Sequence, residues 1–230
     1  MTTTATRVAR RLMRTVALAT ALLAAPRVDA AVIAIDATSP VDIPGLTGFA
    51  TNGALMSGMS VTAVFDTFSQ TLAWATTGPG AGGVVGTNWA LGEVGDTFGG
   101  TWSFTNSGAG LLTRLVLNGA TGLTVFDKTN PSFGTDGSAQ GMDFVTTLAG
   151  DAAVVATYRN PLGIGGAAPV GDIYHVLDVS FAGLANGGVR TSFQFNQDTD
   201  NDARIVVPEP SLMALMGAGL FAAVRRRRSR

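Results

Sequence analysis

Short stretches of alternating apolar and polar residues recur along the middle of the chain. Ser60-Val61-Thr62-Ala63-Val64-Phe65 is one and Thr71-Leu72-Ala73-Trp74-Ala75 is another. Thr97-Phe98 and Thr101–Thr105 alternate across Gly99-Gly100, a pair that marks a bulge or tight bend. Leu111–Leu117, Leu123–Phe126, Ala152–Tyr158, Ile173–Phe181 and Val189–Phe195 continue the series. These runs are rich in Val, Thr, Phe and Leu. Asn118-Gly119, Asp136-Gly137 and Asn186-Gly187-Gly188 separate them with turn chemistry. No window of twelve or more residues in this region follows a 3.6-residue period. The pattern predicts an all-β domain, a β-sandwich or jelly-roll-like fold, over residues 31–197. Its expected core contains Phe65, Trp74, Trp102, Phe104, Leu115, Leu117, Val176 and Phe195. Residues 78–86 and 161–171, rich in Gly, Pro and Ala, are expected to be loops.

The two ends follow a different pattern. Arg7, Arg10, Arg11 and Arg14 precede an apolar stretch, Val16–Ala25, and then the small-x-small site Val28-Asp29-Ala30. This order predicts a signal peptide over residues 1–30, cut by signal peptidase between Ala30 and Ala31. About ten apolar residues give a helix of roughly 15 Å, half the thickness of a bilayer core, which disfavours a membrane anchor. Arg10-Arg11 loosely fits twin-arginine export, so the sequence leaves the export route open. At the other end, Pro208-Glu209-Pro210 precedes an apolar run from Ser211 to Val224 and then Arg225, Arg226, Arg227 and Arg228. The run is about 21 Å as a helix, a short transmembrane segment that needs help from its flanks. Four guanidinium groups resist translocation, so they act as a cytoplasmic stop. The expected organisation is a signal peptide at 1–30, an ectodomain at 31–197, an acidic linker at 198–207 and a tail at 208–230.

Composition sharpens this division. Of 230 residues, 46% are hydrophobic and only 13% charged, a balance suited to a packed core. The net charge of −1 conceals a segregation, because ten of the 15 basic residues lie in the two ends. Residues 31–208 hold five basic and 14 acidic side chains, a net −9, which disfavours nucleic acid as a partner. Cysteine is absent, which excludes disulfides, a thiolate nucleophile and Cys-ligated zinc. His175 is the single histidine, so a multi-histidine metal site is excluded.

Val207-Pro208-Glu209-Pro210-Ser211, the apolar Leu212–Val224 with Gly217 and Gly219, and Arg225–Arg228 stand in that order at the C-terminal end. Together they resemble the PEP-CTERM sorting domain of Gram-negative bacteria. The resemblance implies recognition and cutting by an exosortase, a membrane transpeptidase-like enzyme. It implies export across the inner membrane, transient anchoring by the C-terminal helix, and a final place at the cell surface or outside the cell. It also implies a bacterium that makes exopolysaccharide and biofilm matrix. The same segment is also known as the ice-binding protein C-terminal domain, a name that concerns the tail and says nothing about ice. The body, with Trp102, Leu115–Gly119, Val125–Asp127, Phe193–Phe195 and Asp198–Asn201, resembles a group of PEP-CTERM proteins with β-rich ectodomains. That resemblance implies no activity.

Candidate chemistry within the body is sparse. His175 sits in Ile173–Val179, where alternation places it with Leu177 and Val179 and places Tyr174 with Val176 and Asp178. A structural hydrogen bond is its expected role. The sequence has no Gly-x-Ser-x-Gly elbow. Gly78, Gly80 and Gly83 match Gly-x-Gly-x-x-Gly only formally, with Pro79 inside the match and no helix after it. Carboxylate pairs for a glycosidase occur by chance among thirteen aspartates and Glu93, but most sit in turns. Trp89, in a Gly-rich region, is the expected exposed aromatic for stacking on sugar. Asp198, Asp200 and Asp202 alternate, so on an extended strand they share one side and offer hard oxygen ligands. The expectation is a solvated acidic linker without cofactor; the alternative is a loose Ca²⁺ site, helped by Asp36 or Asp127. An EF-hand is disfavoured by Ala203 at its glycine position, by the lack of a helix before the loop and by Glu209 belonging to the tail. These readings converge on a non-enzymatic surface or matrix protein with a structural or adhesive role linked to exopolysaccharide or biofilm. The alternative is a carbohydrate-binding or carbohydrate-active protein acting on exopolysaccharide.

Overall fold

The computed structural model describes residues 30–47, 51–129, 138, 141–148 and 153–203. Among these, the chain is all-β, with two short 3₁₀ turns, η1 (Gly53–Met56) and η2 (Gly119–Thr121). The expected signal peptide, the C-terminal helix, Pro208-Glu209-Pro210, Arg225–Arg228 and the Asp136-Gly137 turn lie outside the described residues, apart from Ala30. Among the described residues no helix is long and apolar enough to cross a membrane.

The strands form two sheets. The larger contains β1 (Val32–Asp36), β2 (Val41–Ile43), β3 (Ser60–Phe65), β4 (Ser69–Ala73), β9 (Leu112–Asn118), β10 (Thr124–Asp127), β12 (Val155–Ile164), β13 (Ile173–Ser180) and β15 (Asp198–Asn201). Its main path runs β1-β12-β13-β9-β3-β4, with β10 and β15 continuing from the first residues of β13. The smaller sheet runs β11-β14-β8-β7-β6-β5, using β5 (Ala75–Gly78), β6 (Ala81–Gly86), β7 (Trp89–Val94), β8 (Trp102–Asn106), β11 (Val145–Thr146) and β14 (Phe193–Asn196). The chain crosses between sheets at Trp74, whose indole lies in the core.

Alternation explains which side of each strand is buried. Val61, Ala63 and Phe65 of β3 meet Trp102 and Phe104 of β8 and Phe193 and Phe195 of β14 in one core. Aromatic rings run through it, with Trp74–Trp102 at 5.3 Å, Trp102–Phe195 at 5.4 Å and Phe104–Phe193 at 5.2 Å. Such pairs each contribute about 0.5–1.5 kcal/mol beyond the area they bury.

Three expectations change. Residues 81–86 are strand β6, not loop, and their glycines serve close packing. A Cβ on Gly82 would collide with the Gly53 carbonyl and the Trp74 indole nitrogen. Residues 161–164 continue β12, so the expected loop begins only after Ile164. The third change is Val176, which is half-buried, while Tyr174, Leu177 and Val179 all enter the main core. The two-residue alternation of β13 slips between Tyr174 and Leu177. Opposite this slip in β12 is Asn160, with φ 55°, followed by Pro161.

Candidate functional site

A second, smaller core lies where β10 and β15 join the large sheet. Ile43, Val125, Leu162 and Ile173 form it, with Val41, Leu46 and Ile164 packed around them. The segment 41–47 covers it. Val41–Ile43 pair with Leu162–Ile164 at one side, and Leu46 bridges to Asp202 at the other.

The register shows what else lies there. Asp127 pairs with Asp198 and Val125 with Asp200 across β10 and β15, and Asp127 pairs with Ile173 across β10 and β13. Paired residues in antiparallel strands project to the same side, so these aspartates share the side of Val125 and Ile173. Asp127, Asp172, Asp198, Asp200 and Asp202 are each at most 6% exposed. The expected linker at 198–207 therefore begins too early. Asp198–Asn201 are strand β15, which pairs with β10 at the end of the sheet and is buried as far as Asp200.

Each carboxylate meets different groups. Ser138 Oγ donates to Asp127 Oδ2. Thr97 Oγ1 donates to Asp198 Oδ1 at 3.1 Å. Asp202 faces His175 Nε2 at 3.9 Å, both side chains buried. Asp200 Oδ2 is buried and accepts no hydrogen bond. Burial pushes Asp127 up to about 8, assisted by the charges of Asp200, Asp198 and Asp172. Burial also raises Asp198 to about 7, with Asp200 adding to it, and raises Asp200 to about 6. The described cations pair elsewhere. Arg114 and Arg159 both reach Asp178, at 2.5 and 2.7 Å, and Lys128 lies 3.7 Å from Asp143.

Gln197 ties this region together, a role no sequence signal marked. Its amide nitrogen donates to the carbonyls of Asp127, Met142 and Asp198 at 2.8–3.1 Å. Its side-chain oxygen accepts from Tyr158, whose hydroxyl accepts from the Phe144 N–H. Trp102 Nε1 donates to the Gln197 carbonyl at 3.0 Å.

A glycosidase needs carboxyls that substrate can reach, and the five aspartates here are buried. Among the described residues, no three Asp, Glu or His side chains form a group able to hold a metal ion. Asp198 and Asp200 of β15 and Asp202 just beyond it do alternate, but their contacts lead to Thr97, Ser138 and His175 respectively. Trp89 is buried, not exposed. Its ring packs on Phe104, and its indole N–H donates to Gln70 Oε1 at 2.9 Å. Trp74, Trp102, Tyr158 and Tyr174 are buried as well, leaving Phe68 and Phe98 as the exposed aromatic residues among those described. A shallow depression of about 480 Å³, lined by Ile35, Pro40, Pro161, Pro169, Val170 and Tyr174 among others, has no carboxylate, amine, guanidinium or imidazole in its lining. At the expected signal cleavage site, Ala30 is exposed and Ala31 buried, and β1 starts at Val32.

The deciding similarity is in the tail, where residues 206–228 match the family model of the PEP-CTERM protein-sorting motif. The chain carries a PEP-CTERM sorting motif. The motif contains the expected Pro208-Glu209-Pro210 and Arg225–Arg228. It marks a protein targeted to exosortase and secreted, with a membrane-associated place at the cell surface. Neither the curated proteins nor the solved structures contain a match to the chain.

Proposed function

We propose that this PEP-CTERM protein is a non-enzymatic surface or matrix component, released by exosortase after export, whose β domain has a structural or adhesive role among exopolysaccharide. The observation that carries this reading is the contrast between closed interior and open faces. Asp127, Asp172, His175, Asp198, Asp200 and Asp202 are buried, while both sheets turn an outer side to solvent. The outer side of the smaller sheet presents Ala75, Gly83, Gly92, Ser103 and Gln194 in one row, with Val85, Ala90, Val94 and Thr105 beside it. None of these carries a charge, which suits lateral packing in a matrix. Comparing wild-type and deletion strains for cohesion of the surface layer tests the role. Depolymerisation of exopolysaccharide by the purified protein would overturn the non-enzymatic reading.

One observation favours a second reading, carbohydrate binding by hydrogen bonds. On the outer side of the large sheet, Thr157, Asp178, Val116, Thr62 and Thr71 form a row across five strands. Arg114 and Arg159 flank Asp178 and hold it from either side. This face offers hydroxyls and guanidinium donors without an aromatic platform. Loss of polysaccharide co-sedimentation in Arg114→Ala and Arg159→Ala, with melting temperature retained, would support it; retention of co-sedimentation would remove it.

A further inference from the structure

The least explained group in the fold lies away from the aspartate cluster. Glu93 points inward from β7, after Trp89 and Leu91, and is fully buried. Neither of its carboxyl oxygens accepts a well-formed hydrogen bond. Buried polar atoms without partners are rare and costly, so this one calls for a physical reason. Glycine backbone surrounds it. A Cβ on Gly53 would lie 2.9 Å from Oε2, and a Cβ on Gly100 would lie 2.6 Å from Oε1. Any side chain at either position would press on the carboxyl.

Gly53 opens η1, the turn that closes this end of the sandwich. Trp74 Nε1 donates to the Gly53 carbonyl at 2.7 Å, and Thr76 Oγ1 donates to Ala54 O at 2.9 Å. From the other sheet, Asn201 Nδ2 donates to Leu55 O at 3.1 Å, and Met56 is buried against the Thr199 hydroxyl. The turn thus bridges both sheets and rests on Glu93.

We propose that Glu93 is a proton-held latch: protonated, it lets η1 seat against β5, β6 and β7; ionised, it drives the turn off and opens that end of the sandwich. An ionised carboxylate here would lack a countercharge. The elements packed against it, η1, β5, β6 and β8, contain no ionisable side chain. The charged neighbour is Asp96, whose charge also bears on Asp198, and both are acidic. Burial, with Asp96 adding to it, pushes Glu93 from 4.5 up to about 7 despite the nearby Gly53 N–H. The closed state therefore binds this proton more tightly than the open one. Closure is fully favoured below pH 4.5 and is lost as pH rises through about 7. The gap allows the closed-to-open ratio to fall by up to about 300-fold over that range.

The test is a set of ¹H–¹⁵N spectra of the mature secreted protein from pH 5 to 8.5. They are read at the Trp74 indole N–H and the backbone amides of residues 53–56. Opening with a midpoint near pH 7 is expected in the wild type. Glu93→Gln should hold the seated signals across the whole range, although the aspartate cluster still makes overall stability depend on pH. Asp96→Asn should move the midpoint to higher pH and shrink the opening, since it removes a charge that raises Glu93 in the closed state and so narrows the gap that drives the turn off. Wild-type signals unchanged to pH 8.5, or a Glu93→Gln protein that opens as the wild type does, would overturn the latch. If Glu93→Gln does not fold, Asp96→Asn decides alone, and an unmoved midpoint overturns the proposal.

Discussion

The two cores of this domain are built on opposite principles. Between the sheets, aromatic rings stack from Trp74 through Trp102 to Phe195, and the indole and phenol groups there find partners in Gly53, Gln197 and Phe144. Under the 41–47 segment, four apolar side chains are bordered by buried aspartates that carry raised proton affinities. The first core draws its stability from apolar burial, which is indifferent to pH, with Glu93 at its η1 end as the exception. The second combines apolar burial with carboxyls that remain neutral only while protons are available. The difference separates what holds the fold together from what makes it responsive to its surroundings.

That comparison can be broken most forcefully in the main core. Trp102→Ala removes the central ring and the indole bond to Gln197, and is expected to cost about 3–5 kcal/mol in chemical denaturation, with little change in pH dependence. Leu162→Ala in the smaller core is expected to cost about 2–4 kcal/mol by the same assay, and to perturb β2 before the main sheets. Asp127→Asn tests the acidic border. Because Asp127 is raised from 3.8 to about 8, its contribution to stability should be fully present below pH 4 and be lost as pH rises through 8. The amide variant should lose less over that range, by on the order of 2 kcal/mol, as read from melting temperatures against pH. The smallest effect belongs to Arg159→Ala, because Arg159 is 40% exposed and Asp178 keeps Arg114; about 1 kcal/mol or less is expected.

How far each region was legible in the sequence follows from the same physics. Val61, Ala63 and Phe65 alternate with polar residues, so β3 and its buried side could be read directly, as could Trp102 and Phe104. Val176 was misplaced because the slip beside Asn160 is a property of two paired strands, not of one. Glycines in β6 looked like loop because composition does not record the Trp74 ring that leaves room only for hydrogen at Gly82. Asp198–Asp202 read as a solvated linker because three charges in five residues ordinarily seek water. Only the pairing with β10 brings Asp127 beside them and buries the group. Glu93 and Gln197 had no local signal, since their roles arise from contacts distant in sequence. The tail is the reverse case: its order of Pro-Glu-Pro, apolar run and arginines is linear, and it was readable without any fold.

The central claim is that this chain is exported, sorted through its tail and released from the membrane. Intact-mass measurement of the protein recovered from the surface and medium of cells with an active exosortase tests it most directly. Sorting predicts a species that begins near Ala31 and ends near Pro210, and a longer one when the exosortase is absent. A mature species that retains Arg225–Arg228 in the presence of the enzyme would contradict sorting and leave a plain membrane anchor.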